Sequence, residues 1–220
     1  MKTGVLLEKH DKLRQSLDRW FGSVRTRYAA LMVCGRGCIQ CCHGLFDISL
    51  PDAFRLAEGY GTLSEELQVA IANRASAIQH RICQNEVELK APFFLHTLSQ
   101  ERIDWLIYRM PRIRCPLLDE QDSCLLYDYR PIACRLEGVP MVDTRDGLFG
   151  DWCELNFKEG VFPETARDLS LDYYEIQAIE LEATGNLSEV LLASRQEEAT
   201  VFVPSVIAAF GSFWKSRVKD

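Results

Sequence analysis

The sequence has little that would place the chain in a membrane or on a nucleic acid. Its 220 residues contain no uninterrupted apolar run of about 18 residues, the length that a membrane-spanning helix needs. Lys and Arg number 25 against 32 Asp and Glu, no run of basic residues occurs, and the net charge is -7. Nucleic-acid-binding proteins usually carry a basic surplus or a basic stripe. We therefore expect no membrane span and no nucleic-acid partner.

The N-terminus also lacks the features of a secretion signal. The segment MKTGVLLEKHDKLRQSL breaks its apolar run with charged residues after Leu7, whereas a signal peptide keeps an uninterrupted apolar core. The sequence therefore predicts a cytoplasmic protein. Disulfides are rare in that reducing compartment, and the nine cysteines are an odd number. We expect them to remain thiols.

Cysteine is abundant and clustered. The stretch CGRGCIQCCHG places four cysteines within nine residues, and four more follow between positions 115 and 153. These eight lie beside Gly or Pro in predicted loops and turns, where the backbone can bend so that several thiolates converge on one ion at about 2.3 Å. Clustered thiols in the cytosol bind metal more often than they form disulfides. The candidate metal ligands are Cys34, Cys38, Cys41, Cys42, Cys115, Cys124, Cys134 and Cys153.

The arrangement of the thiols bears on the number and kind of metal. Neighbouring side chains tend to diverge, so the adjacent Cys41 and Cys42 favour two metals, each taking one of the pair. The alternative is one centre, with the remaining thiols buried or catalytic. Ligation by sulfur alone favours zinc or an iron–sulfur cluster such as [4Fe–4S], and we take zinc first. Cys83 stands apart on a helical pattern and is interpreted as core packing.

Several other residues near the cysteines are candidates for supporting roles. Four thiolates on Zn²⁺ carry a formal charge of about -2, which nearby cations would offset. Arg130 and Arg135 flank Cys134 and are the favoured donors, although salt bridges to nearby aspartates explain single arginines as well. Tyr127 is predicted to pack in the core. His43 is interpreted as solvated, with metal ligation the lesser alternative.

The predicted fold is mainly α, with an irregular cysteine-rich centre, a small β-hairpin and stabilisation by metal. Apolar residues recur at helical spacing from residue 13 to 31, and Ser49, Ser64 and Ser99 mark the starts of further helices. A helix with Leu171, Tyr174, Ala178 and Leu181 on one face is expected to stop at Gly185, with another from Ser188 and a last one from Pro204.

The centre of the chain lacks the long helical patterns of the two ends. The stretch SCLLYDYRPIACR predicts a short strand, a turn and a single helical turn after Pro131. The stretch GVPMVDTRDGLFGDW predicts a hairpin with its turn at Asp146-Gly147. We expect a single domain over 1–220, in which residues 34–153 form the cysteine-cluster region and residues 154–220 form C-terminal helices packed on it.

The motifs CGRGCIQCC, CPLL, SCLLYDYRPIACR and WCELN together resemble the YkgJ-type cysteine-cluster proteins, which have a CxxxCxxCC signature and are described as zinc- or iron-chelating. The resemblance covers residues 34 to 153 and implies metal ligation by the eight cysteines named above. A similar cluster occurs in the longer flagellin lysine N-methylases, but this chain has no G-x-G-x-x-G loop that would bind S-adenosylmethionine.

Three functions follow as hypotheses. The first is a cytoplasmic metal-binding protein in which metal organises the irregular centre. The second is an iron–sulfur enzyme related to flagellin lysine N-methylase, with a protein methyltransferase or redox role. The third is metal storage or delivery. The expected partner is a metal ion, and the sequence leaves room for a protein partner.

Overall fold

Helices account for most of the part of the chain that the structure describes, which confirms the predicted fold class. The structure is a computed structural model and describes residues 3–110, 112–145, 147–149, 152–158 and 169–218. Within those ranges, no helix combines the length and the apolar character needed to cross a bilayer. The α-helices are α1 (Thr3–Leu6), α2 (Glu8–Arg27), α3 (Leu50–Thr62), α4 (Glu65–Asn85), α5 (Gln100–Arg109), α6 (Ile132–Leu136), α7 (Tyr173–Leu192), α8 (Val203–Ala208) and α9 (Lys215–Arg217), with 3-10 turns at Gln40–Cys42, Leu95–Thr97 and Tyr127–Tyr129 and a π-helical turn at Phe210–Trp214.

The strands are short and form two small sheets. Strand β1 (Asp47–Ser49) pairs antiparallel with β5 (Thr200–Phe202), a pairing that three-residue segments do not reveal in sequence. Strands β2 (Met141–Asp143) and β3 (Gly147–Phe149) form the predicted hairpin, and β4 (Ser170–Leu171) runs parallel to β2. Asp146, half of the predicted turn, lies outside the described residues.

Local sequence signals explain where several helices begin and end. The Ser64 hydroxyl accepts a hydrogen bond from the Leu67 N–H at 3.4 Å and caps α4, as predicted. Helix α3 starts directly after Ser49, as predicted, with a proline in its first turn, and it runs to Thr62. Helix α5 starts directly after Ser99, also as predicted, and runs to Arg109.

Several sequence predictions of local structure are wrong. Gly185 does not end a helix, and Ser188 does not start one, because α7 runs through both to Leu192 and is followed by Ala193 with φ +54°. Leu171, predicted to lie in that helix, lies in β4 instead. A Cβ at Gly185 would lie 2.7 Å from Cζ of Arg195, so the glycine serves close packing. The strand predicted in SCLLYDYRPIACR is reduced to one isolated bridge between Leu118 and Cys124.

Apolar clusters anchor the cysteine-rich segments from two sides. The largest core packs α3, α4 and α8 around buried residues such as Leu56, Ile71 and Trp214, and Cys115 and Cys124 pack against it. A smaller cluster includes Val24, Met32, Val139, Phe157 and Leu169, with Cys34 packed on it. The irregular centre is therefore positioned by regular structure on both sides.

Candidate metal centre

A cavity of about 370 Å³ lies where the two cysteine-rich regions meet. Its other walls include apolar side chains such as Phe46, Leu56 and Leu118. The eighth candidate, Cys153, does not line the cavity but lies beside Cys34. Seven of the eight predicted ligands line it: Cys34, Cys38, Cys41, Cys42, Cys115, Cys124 and Cys134.

Gly138 brings Cys34 and Cys153 together. Its φ of +84° suits glycine, and a Cβ at this position would lie 2.9 Å from the Cys34 Sγ and 3.3 Å from the Cys153 Cβ. The Cys153 N–H faces the Gly138 carbonyl at 3.4 Å. The first and last cysteines of the motif are thus neighbours, although the sequence separates them widely.

Backbone hydrogen bonds tie the two cysteine regions to each other. The Cys115 N–H donates to the Cys42 carbonyl at 2.8 Å, and the Gly44 N–H donates to the Ile113 carbonyl at 3.0 Å. Within the first region, the Cys38 N–H donates to the Gly35 carbonyl at 3.0 Å, closing a tight turn. The thiols of the two regions are therefore held against one cavity by the main chain.

One group of thiols surrounds Cys34. Burial, with smaller contributions from the neighbouring thiols of Cys38, Cys153 and Cys41, raises the pKa of Cys34 to about 11, against the opposing effect of the hydrogen bond from Asn156. A thiol with this pKa is protonated at neutral pH. Metal binding here would therefore release a proton.

A second group comprises Cys115, Cys124 and Cys134. Burial raises the pKa of all three thiols, that of Cys115 to about 12. The N–H groups of Leu117 and Leu126 hydrogen-bond to Cys115 and Cys124 respectively and lower those pKa values. Main-chain N–H groups directed at sulfur stabilise the thiolate, which is the form that binds metal.

Cys41 lies between the two groups. It raises the pKa of Cys34 in the first group and of Cys115 and Cys134 in the second. A hydrogen bond with the Cys42 thiol, followed by burial, raises the pKa of Cys41. Both Cys41 and Cys42 line the same cavity. Cys41 is exposed, whereas Cys42 is half-buried.

The thiols surround a space wider than one zinc ion requires. Four sulfurs bound tetrahedrally at 2.3 Å would lie about 3.8 Å apart. Among the described residues, no three cysteine sulfurs lie within 4.8 Å of one another. The donor set fits a thiolate metal centre, and the sulfurs would have to move closer together to bind one ion.

Two arginines stack on the ring of Tyr127, and one of them, Arg130, lines the cavity. The guanidinium groups of Arg36 and Arg130 lie 4.1 and 3.6 Å from the ring centre of Tyr127. Both arginines lower the pKa of Cys124 against the larger effect of burial. Tyr127 is half-buried and lines the cavity, so its predicted place in the core is wrong.

The other predicted supporting residues differ in their positions. Arg135 is buried, but its guanidinium pairs with Asp18 and with the carbonyls of residues 128 and 130, so the structure does not place it on a thiol. Arg114 binds Asp122 at 2.8 Å and lowers the pKa of Cys115.

His43 lines the cavity with its Nδ1 3.1 Å from the Ile39 carbonyl oxygen. Cys83 lies outside the cavity, and its Sγ is 3.2 Å from the Gln79 Nε2.

Two residues of the site were missed in the sequence. Asn156 is 1% exposed, donates from Nδ2 to the Cys34 Sγ at 2.9 Å, and accepts from the Val33 N–H at 2.8 Å. Its position three residues after Cys153 in WCELN is the signal that could have revealed it. Glu137 lines the cavity and raises the pKa of Cys41, and no pattern marks it.

Converging thiols, N–H groups directed at sulfur and a buried amide donor define a metal-chelating class of protein. The family profile CxxCxxCC, described as "Putative zinc- or iron-chelating domain", matches residues 33–154, more than half of the chain. The chain belongs to this cysteine-cluster family, and the predicted resemblance is confirmed. No curated protein and no solved structure matches the chain.

Proposed function

We propose that the chain binds metal in one centre built from both cysteine regions, in a protein of the cytoplasm. The observation that carries the proposal is the shared cavity: seven candidate thiols line it, and Cys153 adjoins Cys34 across Gly138. A thiol-rich site of this kind needs a reducing compartment to stay reduced. The proposed ligands are Cys34, Cys38, Cys41, Cys42, Cys115, Cys124, Cys134 and Cys153.

Two zinc ions are the assignment we favour, each with four thiolates. Cys34, Cys38 and Cys153 would hold the first ion. Cys115, Cys124 and Cys134 would hold the second ion. Each set is completed by one thiol of the Cys41–Cys42 pair, because Cys41 faces both groups. This division gives each ion the sulfur-only tetrahedral ligation that zinc adopts in structural sites.

The surroundings offset the charge of such a centre. Asn156 donates to the Cys34 sulfur in the first group. Arg36 and Arg130 lower the pKa of Cys124 in the second. Donors of this kind around a metal site commonly set its affinity. Because segments of little regular structure supply most of the ligands, metal binding would contribute folding free energy to the centre of the chain.

An iron–sulfur cluster is the second candidate, favoured by the width of the cavity. In a [4Fe–4S] cluster each cysteine binds a different iron, so the ligands are spread more widely than around one ion. The separation of the thiols and the volume of about 370 Å³ agree with that arrangement. The related enzyme functions, a methyltransferase or redox role, stay predictions, as does metal delivery.

Anaerobic purification followed by elemental analysis tests the proposal. We expect two zinc equivalents per chain and a colourless protein. A brown protein with iron and acid-labile sulfide would replace the zinc assignment with the cluster. A chain that retains no metal after purification without chelators, and takes up neither zinc nor iron when reduced, would contradict both assignments.

A further inference from the structure

A second group of metal-binding side chains lies apart from the cysteine cavity. His10 on α2, Asp52 in the first turn of α3 and Glu180 on α7 place one ligand atom each within 4.8 Å of the others. It is the one such set of three among the described residues, and none of its members lines the thiol cavity. Three helices that are far apart in sequence therefore converge on one point.

Two residues of the group are buried, Glu180 is partly buried, and the polar atoms of the two buried residues are incompletely paired. His10 is fully buried, and in the described part of the chain neither of its ring nitrogens has a hydrogen-bond partner. Asp52 is 2% exposed; its Oδ2 accepts the Ile132 N–H at 2.6 Å, whereas Oδ1 has no hydrogen-bond partner there. Buried polar groups in native proteins are rarely left unpaired, so we expect these atoms to bind a ligand.

The separation of the unpaired atoms fits a shared cation. The His10 Nε2 and the Asp52 Oδ1 face each other at 3.6 Å. Two ligand atoms on one ion at about 2.1 Å, at angles between octahedral and tetrahedral, lie roughly 3.0–3.5 Å apart. The observed gap closes to that range with a small shift of either side chain.

The charges around the group keep the imidazole in its metal-binding form. Burial, followed by the field of Arg14, Arg55 and Arg135, lowers the pKa of His10 to about 3, so the ring is neutral and offers a lone pair. Burial and the nearby Glu180 raise the pKa of Asp52 to about 7. Two carboxylates held this close repel each other unless a proton or a cation lies between them.

The arginines are mostly committed to other partners. Arg55 pairs with Asp11 and Glu58, and Arg135 pairs with Asp18. Those carboxylates already balance two of the three positive charges. The third positive charge, that of Arg14, competes most directly with a metal ion for Asp52.

Arg14 lies closest to the group, with its Nε 4.0 Å from the Asp52 Oδ1. That distance is too long for a hydrogen bond, and its terminal nitrogens are directed to Asp11 at 3.6 Å and to the Asp128 carbonyl at 3.4 Å. Arg14 therefore leaves the Asp52 oxygen without a donor.

We propose that His10, Asp52 and Glu180 form a second metal site, for a divalent first-row ion such as Mn²⁺ or Fe²⁺. One imidazole and two carboxylates suit ions of this intermediate hardness, whereas the thiol centre selects softer metals. The site shares α6 with that centre, because the Ile132 amide binds Asp52 and Cys134 follows two residues later. This site is additional to the thiol centre and does not depend on it.

Mn²⁺ is the probe that separates the two sites, since it binds thiolates poorly. Electron paramagnetic resonance would follow Mn²⁺ added to the full chain, purified with its cysteine centre as it is. We expect one saturable Mn²⁺ per chain and nitrogen modulation of its spin echo from His10. Glu180→Gln should weaken binding by about tenfold or more. Glu182→Gln is the matched control, because Glu182 is exposed and pairs with Lys9 at 2.8 Å.

The Mn²⁺ titration of the wild-type protein tests the site even if Glu180→Gln fails to fold. If the wild type binds no saturable Mn²⁺, or binds Mn²⁺ without nitrogen modulation, the proposed site is wrong. Equal affinities for Glu180→Gln and Glu182→Gln overturn it too, and would mean that Asp52 is satisfied by a proton or by Arg14. Cys41→Ser with Cys42→Ser should retain the Mn²⁺ site, so a failure of the thiol proposal is distinguished from a failure of this one.

Discussion

The amide of Asn156 donates a hydrogen bond to the sulfur of Cys34 at 2.9 Å, across 122 residues of sequence. The same side chain also accepts from the N–H groups of Val33 and Cys34 at 2.8 and 3.3 Å. One buried side chain therefore joins the loop after α2 to the segment that carries Cys153. It directs a donor at a sulfur whose negative charge appears when metal binds.

Asn156→Asp should weaken metal retention by about 10–100-fold, the usual cost of losing a residue that supports a ligand. The carboxylate replaces a donor with an acceptor and adds negative charge beside the Cys34 sulfur. A competition titration against a chelator measures the change. Asn85→Asp is the control, because Asn85 is exposed and its amide binds only the carbonyl of Arg81 at 2.8 Å. Equal metal affinity in the two variants would remove Asn156 from the centre.

Gly138→Ala should reduce metal content as well as stability. The new Cβ would lie 2.9 Å from the Cys34 Sγ and would push that sulfur away from Cys153. Gly147→Ala is the matched control, since Gly147 has a similar φ of +92° but open space around its Cβ position. Both variants should lose about 1–3 kcal/mol through backbone strain, and only Gly138→Ala should lose metal. Metal analysis and chemical denaturation check this, and full metal content in Gly138→Ala would contradict it.

The metal-free protein should lose stability at alkaline pH, whereas metal affinity should rise with pH in the neutral range. Burial raises the pKa of Cys34 to about 11 and of Cys115 to about 12, from an ordinary 9.0. Between pH 9 and 11, the unfolded chain has lost thiol protons that the folded chain still holds. The free energy of unfolding of the metal-free protein therefore falls as pH rises through this range. Metal affinity should rise with pH over the neutral range, because binding releases thiol protons.

Urea denaturation at several pH values, with and without chelator, measures both trends. Cys34→Ser with Cys115→Ser is the control for other groups that titrate in this range, and its metal-free form should show a shallower loss of stability. A double variant whose pH dependence matches that of the wild type would contradict the assignment of the shifted thiols.

Cys83→Ala should leave the metal content unchanged. Its sulfur lies outside the cavity, 3.2 Å from the Gln79 amide and 3.7 Å from the Leu89 carbonyl oxygen. The comparison is Cys134→Ala, which removes a cavity thiol and should lower metal per chain. Elemental analysis of the two proteins decides, and a lost metal equivalent in Cys83→Ala would place that thiol in the centre.

The sequence predicted the grouping of the cysteines better than the long-range contacts around them. Loop position, clustering and the motifs around Cys34 and Cys134 identified thiols that the structure brings to one cavity. The hairpin was predicted because its turn chemistry is local. The β1–β5 pairing and the role of Asn156 were not, because both join residues more than 100 positions apart.

Individual errors have physical causes of the same kind. Gly185 carries the signal for a helix end, but packing by Arg195 keeps it inside α7. Tyr127 has the apolar ring expected of a core residue, yet Arg36 and Arg130 stack on it at the cavity. Arg135 lies next to Cys134 in sequence, while its helix directs the guanidinium to Asp18. Proximity along the chain does not specify which way a side chain points.

The central claim is that the two cysteine regions build one centre whose metals draw ligands from both. Two double variants divide the regions: Cys41→Ser with Cys42→Ser in the first, and Cys115→Ser with Cys153→Ser in the second. Each removes one ligand from both proposed metal sets, because Cys153 adjoins Cys34 and Cys115 lies with Cys124.

Metal per chain after anaerobic purification is the measurement that tests this claim most directly. We predict that both variants fall well below half of the wild-type metal content and unfold at lower temperature. If each variant instead retains half of the metal, tightly held, then each region is a self-contained knuckle and the shared centre is contradicted.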